Sequence, residues 1–310
     1  MKVLFISSGN SKLGISPITY NQGESLKKQS VDIEYFTIKG KGLIGYLSNV
    51  KALKRYLKRK DFDIIHVHYS MSAFVASLAG AKSLVVSLMG TDVKASPFFK
   101  IFIKFFAKYI WKATIVKSND MAESLGVKDV MVIPNGVNFN RFKPLDKIDC
   151  QKQLEWDFNK KHILFAANQD REEKNYKLAA GAIAILKDSN IIVHFLKDVP
   201  NKEVPLYYNA ADVVLLTSLW EGSPNVIKEA MACNRPIVAT DVGDIAEVIL
   251  GSKGCFICKF NKNDLAKKIQ QALAFNATDG RSNIENLNAD RVSNLIVSMY
   301  QSTLDNKNKN

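Results

Sequence analysis

Residues 212–244 read DVVLLTSLWEGSPNVIKEAMACNRPIVATDVGD. The apolar run 213–216 ends in Thr217-Ser218 and has the length and polar boundary of a buried strand. Glu221-Gly222-Ser223-Pro224-Asn225 is turn chemistry, and Pro224 suits the first turn of a helix, where its missing N–H costs nothing. Residues 226–233 have a helical pattern, broken by Asn234 and Pro236, and a second buried strand follows at 237–240. Strand, loop, helix, strand is the βαβ unit of a parallel sheet. Ligands of such sheets bind beyond the carboxyl ends of the strands, where residues 221–225 and 241–244 must both fall.

The first N–H groups of the helix after Pro224 have no intrahelical partners. With the helix dipole they suit an anion such as a diphosphate. Glu229 lies more than a turn further in, among small or apolar residues, and a carboxylate there suits a vicinal diol such as a ribose. The plainer reading makes Glu229 an exposed helix residue beside Lys228, and two glutamates separated by seven residues carry little alone. The flanking strands, the Gly-Ser-Pro-Asn loop, Ala230 and Ala232 favour the ligand reading.

The segment EGSPNVIKEAMACNRPIVATDVGD resembles the donor site of GT-B glycosyltransferases, specifically the large retaining family 4. Its pattern is EG, a small loop, a glutamate eight residues after the first, EAMA, and a strand ending near GG. That resemblance implies an α/β fold of two Rossmann-like domains with parallel sheets facing a central cleft. It implies that Glu229 holds the ribose of a nucleotide sugar and Glu221 contacts hydroxyls of the transferred sugar. The backbone of Ser223, Pro224, Asn225 and Val226, in which Pro224 carries no N–H, forms the stretch that meets sugar and phosphate. Asp244 stands where a second glycine is usual, a departure that narrows the sugar pocket.

The chain's 310 residues are enough for two domains, each with its own core. Its hydrophobic content of 47% and charged content of 24% are those of a globular protein. The longest apolar runs fall short of a spanning helix. The opening MKVLFISSGNSKLG has too short an apolar core for a signal peptide and reads as a first strand and glycine-containing turn. Cys255 and Cys258 make a lone C-x-x-C, with no second pair and no nearby histidine, so two thiols on a strand are expected rather than zinc or redox chemistry. Cysteine usage fits a reduced, cytoplasmic protein. The net charge of +13 is concentrated early: residues 1–150 carry 23 Lys and Arg against 11 Asp and Glu, the remainder 20 against 19. The first half is therefore expected to meet something anionic. No nucleic-acid-binding module is recognisable among its strands, which argues against nucleic acid as that partner.

In the first half, strands are expected at 3–6, 31–38, 63–69, 84–88 and 113–118, with helices at 18–29 and 43–60. In the resembled family the glycine-rich loop after the first strand faces the donor phosphates, and Gly14 is the nearest match. His66-Val67-His68 puts two imidazoles on one strand face, but no further ligand recurs at useful spacing and no metal is expected. By resemblance His68, nearer the strand's carboxyl end, lines the cleft on the acceptor side, with Gly90, Thr91 and Asp92. Met89 replaces the family's usual histidine before that segment. Residues 97–112, PFFKIFIKFFAKYIWK, place Lys100, Lys104, Lys108 and Lys112 on one stripe of a helix that is otherwise aromatic or aliphatic over about two-thirds of its circumference. Ammonium groups beside aromatic rings suit an anionic membrane surface. The alternative is a buried helix with snorkelling lysines.

Residues 130–138, VMVIPNGVN, resemble the family's interdomain stretch, and a polar linker is expected from 142 to about 153. Domains are thus expected at 1–148, for the acceptor, and 149–291, for the donor, with a helix at about 292–304 packing back on the first. After a strand at 162–167, the charged loop at 168–175 suits a diphosphate whose charge grows as the glycosidic bond breaks. Lys174 matches the family's lysine, and Arg171 stands in for an arginine replaced by Asn168. The resemblance implies that loop 197–205 meets the base through backbone atoms.

The candidate catalytic residues are therefore Glu221, Lys174 and Arg171. The expected activity is transfer of a sugar, with retention and no required metal or cofactor, from a nucleoside diphosphate sugar to a glycan or lipid-linked cell-envelope acceptor. The enzyme is expected at the inner face of the membrane through residues 97–112. A nucleotide-sugar epimerase of the same fold and a sugar-nucleotide binder without turnover remain alternatives.

Overall fold

Apolar residues alternate with apolar residues along the strands, as chains covered on both faces require. The computed structural model describes residues 1–11, 14–90, 92 and 97–308. The chain forms two compact units, residues 1–136 with 289–310, and residues 137–288.

The first unit carries β1 (Lys2–Ser8), α1 (Pro17–Lys27), β2 (Asp32–Ile38), α2 (Gly42–Leu47), α3 (Val50–Leu57), β3 (Ile64–His68), α4 (Ser70–Leu78), β4 (Leu84–Ser87), α5 (Pro97–Tyr109), β5 (Ala113–Val116), α6 (Asn119–Leu125) and β6 (Met131–Val132). Its strands pair in parallel in the order β2-β1-β3-β4-β5-β6. Leu4, Ile6, Val67 and Val86 face α4 and α5, while Val3, Phe5, Ile64 and Val85 face the opposite layer. Two helices replace the single one expected at 43–60. Between them Asn49 Nδ2 donates to the carbonyls of Lys39, Gly45 and Tyr46, taking acceptors a continuous helix would use and turning the chain.

The second unit carries α7 (Lys147–Gln153), β7 (Lys161–Phe165), a 3-10 turn (Glu172–Lys174), α8 (Tyr176–Leu186), β8 (Ile191–Phe195), α9 (Val204–Ala210), β9 (Val213–Leu216), α10 (Asn225–Ala232), β10 (Ile237–Thr240), α11 (Ile245–Ile249), β11 (Cys255–Cys258), α12 (Lys262–Ala272) and α13 (Gly280–Asn283). Its parallel order is β11-β10-β9-β7-β8. Leu164, Val214 and Leu216 pack with Tyr208, Ile227 and Met231 of α9 and α10, and Ile163, Phe165 and Leu215 with α8 and α12. This unit begins at Val137, earlier than the expected boundary at 148. Val137, Phe139 and Phe142 are buried in its core, and Arg281 donates to the carbonyls of Phe139 and Phe142. The chain therefore joins this unit before the linker expected from 142 to about 153, whose later part is the helix α7.

The last helix, α14 (Ala289–Asn308), belongs to the first unit. Val292, Ile296, Met299 and Tyr300 recur at one-face spacing and are buried against Val3, Phe5 and Val85. Each such side chain contributes about 1.5–3 kcal/mol on burial. Tyr300 Oη also meets His66 Nδ1 at 2.5 Å.

Candidate functional site

Strand order reverses once in the second unit: β8 lies on one side of β7, and β9, β10 and β11 on the other. Loops leaving β7 and β9 therefore diverge at that point and leave a crevice beyond the strand ends. The loop after β7 delivers Lys174, and the loop after β9 delivers Glu221.

Backbone contacts fix both loops. Thr217 Oγ1, just past β9, donates to the carbonyls of Lys174 and Asn175, and Leu219 N–H donates to Glu173 O. Lys174 Nζ then meets Glu221 Oε1 at 2.5 Å, and Ser218 Oγ donates to the same oxygen at 2.7 Å. The side chains of this ion pair are only 12% and 15% exposed. Among the described residues nothing donates to Glu221 Oε2.

The helix α10 starts at Asn225 with Pro224 as its cap residue, and no side chain caps its first turn. The N–H groups of Asn225 and Val226 are thus left for a partner of opposite charge. Glu229 is held from behind by Tyr208 Oη, which donates to Oε2 at 2.9 Å. Burial raises the Glu229 pKa, opposed by the Tyr208 bond and the charges of Arg141 and Lys228. Its Oε1 has no donor among the described residues. Each of the two glutamates is therefore steadied through one oxygen and open at the other.

Arg171 does not join this group. Its side chain is 58% exposed and pairs with Glu173, because it precedes the 3-10 turn that swings Lys174 inward. Arg171, expected to stand in for a missing arginine beside Lys174, thus lies apart from Lys174 on the solvent side of the turn. Ser218, Tyr208 and Lys228 enter the site without having been singled out. Tyr208 comes from α9, and no spacing in the sequence links it to Glu229.

A second polar group lies under the same loop. Lys228 Nζ donates to Ser223 Oγ at 2.5 Å, and Ser223 Oγ donates to Asp244 Oδ2 at 2.5 Å. Lys228 is fully buried and Asp244 is 7% exposed. Burial lowers the Lys228 pKa to about 8, against the pull of Asp244 and Glu229, and raises that of Asp244. Gly243, with φ of +62°, packs its Cα against Gly222, and a Cβ there would overlap Gly222 O.

In the first unit Gly14 has φ of +78° and forms a tight turn with Ser11, and a Cβ on it would meet nothing within 4 Å. His68 is buried, stacked on His66 with ring centroids 4.5 Å apart, and Nε2 contacts Gln22 Oε1 at 2.7 Å. Burial, aided by the charge of Lys117, lowers its pKa to about 3, so the ring is neutral. Asp92 is buried too: Oδ1 accepts from Ser70 N–H at the start of α4, and Oδ2 from Met89 N–H. It braces the loop that carries Gly90, whose φ is +96°. Thr91 lies outside the described residues.

Comparison with known sequences falls on the same two units. The profile of Glycosyltransferase Family 4 matches residues 18–141, and that of Glycosyl transferases group 1 matches residues 159–274. The chain belongs to the group 1 glycosyltransferases, family 4. A Bacillus subtilis relative described as "putative teichuronic acid biosynthesis glycosyltransferase TuaC" is 29% identical over 228 residues, which cover 64% of this chain. The chain spans 58% of that relative's length. An Escherichia coli UDP-Gal:alpha-D-GlcNAc-diphosphoundecaprenol alpha-1,3-galactosyltransferase is 22% identical over 267 residues, covering 72% of this chain and 69% of the relative. Among solved structures, sucrose-phosphate synthase of Thermosynechococcus elongatus superposes with a TM-score of 0.84 at 18% identity, covering 97% of this chain and 98% of that one. Anabaena HepE, solved with UDP and glucose, gives 0.77 at 17% identity, covering 97% of this chain and 100% of its own. These likenesses establish the GT-B fold.

Proposed function

We propose that this family 4 chain transfers a sugar, with retention, from a nucleoside diphosphate sugar to a glycan or lipid-linked acceptor of the cell envelope, without a required metal. The observation that carries the reading is the Lys174–Glu221 pair set beside the uncapped start of α10 at the point where strand order reverses. A departing diphosphate gains charge as the glycosidic bond lengthens, and Lys174 with the first amides of α10 would stabilise that charge in a site already oriented for it. Glu229 Oε1 would accept from the ribose hydroxyls, and Glu221 Oε2 from a hydroxyl of the transferred sugar. No side chain is assigned as general base. In a retaining transfer of this type the leaving phosphate accepts the acceptor's proton. Relatives named for teichuronic acid synthesis and for a diphosphoundecaprenol acceptor support the envelope assignment.

The first unit is proposed to serve the acceptor at an anionic membrane surface, on the inner face. No described helix is long and apolar enough to cross a membrane. The helix α5 instead has two apolar faces. Ile103 is buried, and Phe99 and Phe106 pack edge-on against Phe74 of α4. Phe98, Ile101, Phe102, Phe105 and Tyr109 form a second stripe that is 45–70% exposed, with Lys104 and Lys108 beside it. An outward aromatic stripe with a lysine margin fits an acyl boundary below anionic headgroups.

Calorimetric titration of UDP, GDP and ADP and their sugar conjugates into wild type and Glu229→Ala tests the donor site. One nucleotide series is expected to saturate wild type and to bind at least about 10-fold more weakly to the variant, the loss of a charged hydrogen bond. No binding by any series, with both proteins folded, overturns the reading.

A further inference from the structure

Asp244 occupies a place where the family pattern has glycine, and it brings a carboxylate to the margin of a loop proposed to bind anions. A carboxylate so placed works against diphosphate unless its charge is offset. Lys228 offsets it through Ser223, in a chain of two hydrogen bonds whose two charged ends are buried and whose middle member is half-buried. That pairing explains why a lysine tolerates full burial in α10.

The chain of bonds uses only one oxygen of Asp244. Oδ1 is buried and has no hydrogen-bond partner among the described residues. A buried acceptor left without a donor is costly, by roughly the desolvation of the group, so such atoms are commonly completed by a ligand or a water. The place of Asp244 in the chain points to the ligand that would complete Oδ1. The turn at Gly243 lies directly on Gly222, with Glu221 O 3.1 Å from a Cβ placed at Gly243, so Asp244 abuts the loop whose glutamate is proposed to meet the sugar. Nucleotide contacts fall further along, at Glu229 and the α10 amides.

We propose that Asp244 is a specificity-determining residue of the donor site, accepting a hydrogen bond through Oδ1 from one free hydroxyl of the transferred sugar, with Lys228 and Ser223 as its positioning residues. This rests on the donor-site reading above. The site then selects sugars that carry that hydroxyl unsubstituted and rejects donors that are deoxygenated or acylated there.

The test uses the nucleotide that binds wild type, its parent sugar conjugate, and the 3-, 4- and 6-deoxy analogues of that conjugate, titrated into wild type, Asp244→Gly and Asp244→Asn. Wild type is expected to bind one deoxy analogue about 10- to 100-fold more weakly than the parent, the range of a hydrogen bond to a charged group. Asp244→Gly is expected to lose the parent by the same factor, to stop discriminating that analogue, and to bind the bare nucleotide no more weakly than wild type does, since the change removes a negative charge beside the loop. Asp244→Asn preserves side-chain size and the Ser223 contact and reports the exchange of acceptor for donor. Unchanged discrimination in both variants, or equal loss of bare nucleotide and conjugate, overturns the assignment, and the second outcome makes Asp244 a support of the loop alone. Failure of wild type to bind any nucleotide would instead remove the donor-site reading, and the two failures are thereby told apart.

Discussion

Lys174 Nζ lies 2.5 Å from Glu221 Oε1, although the residues stand 47 positions apart and leave different strands. Two loops from either side of the strand reversal are tied by one partly buried ion pair, with Ser218 completing the carboxylate on the same oxygen. The lysine is thereby held in one place before a diphosphate arrives, so little reorganisation remains for the moment of bond breaking.

Lys174→Met is expected to lower kcat by about 100- to 1000-fold, the usual loss for one preorganised charge donor. Its stability should fall by only about 1–3 kcal/mol, since Ser218 still donates to Glu221. Arg171→Met should leave kcat within about 3-fold of wild type, since loss of an exposed pair is worth no more than about 1 kcal/mol. Single-turnover rates beside a thermal melt read both. An equal collapse in the Arg171 variant would put it back among the charge-stabilising groups.

Glu229 is steadied by Tyr208, so Tyr208→Phe is expected to weaken nucleotide binding without abolishing it, by about 5- to 10-fold, the worth of one hydrogen bond. Glu229→Ala should lose far more, and Tyr208→Phe in the Glu229→Ala background should cost almost nothing further. Additive losses in the double variant would show that Tyr208 acts on the nucleotide by another route.

The positions of Glu221 and Glu229, one in the loop after β9 and one inside α10, were legible because the segment is local: strand, turn and helix fall within a few dozen residues, and their spacing survives folding unchanged. The two sheets were legible for the same reason, each strand being a short apolar run between turns. Partners brought from elsewhere were not. Tyr208 reaches Glu229 from another helix, and only the packing of α9 on α10 joins them. Arg171 and Lys174 are three residues apart, yet the 3-10 turn between them sends one to solvent and the other inward. His68 and Asp92 read as cleft residues on pattern, and pattern does not report their partners, Gln22 and the start of α4. Asn49 divides one expected helix in two through side-chain bonds that helical periodicity does not report.

Gly243→Ala isolates the backbone contact beneath the candidate site. A left-handed residue with a Cβ costs about 1–2 kcal/mol from conformation alone, and here the added carbon also overlaps Gly222 O. The expected result is a Tm lowered by several degrees together with loss of donor binding at temperatures where the chain is still folded. A lowered Tm with unchanged binding would show that the loop 221–225 does not depend on this packing.

The outward stripe of α5 yields a test independent of the donor site. Phe102→Ser with Phe105→Ser removes two side chains, each worth about 1.5–3 kcal/mol of apolar transfer. Sedimentation with phosphatidylglycerol vesicles is expected to fall at least 10-fold (about 1.4 kcal/mol), while nucleotide titration stays unchanged. Wild type should also leave these vesicles as salt rises, since Lys104 and Lys108 act over a Debye length of about 10 Å at 0.1 M. Wild type that never sediments with them removes the membrane proposal and leaves the nucleotide site standing.

The pH response separates two effects of Lys228 that have opposite signs. Its folded pKa is lowered to about 8 from an ordinary 10.5, so between those values the unfolded chain binds more protons than the folded one. The contribution of Lys228 to stability therefore rises with pH across that window and is lost as pH falls through the folded value. It is read as the difference between wild type and Lys228→Met, because the raised thiols of Cys233, Cys255 and Cys258 act with the opposite sign in both proteins. Donor affinity should move the other way. Once Lys228 loses its proton above about pH 8, Asp244 keeps its negative charge without an offset and repels the diphosphate. Glu229 sets the acid side, because its raised pKa means that the ribose acceptor is neutralised at a higher pH than an ordinary carboxylate. A bell-shaped affinity profile is thus expected for the nucleotide, with its basic limb absent in a Lys228→Met, Asp244→Gly double variant. Retention of that limb in the double variant would assign it to another group, and a stability difference between wild type and Lys228→Met that falls from pH 8 to 10 would contradict the lowered lysine itself.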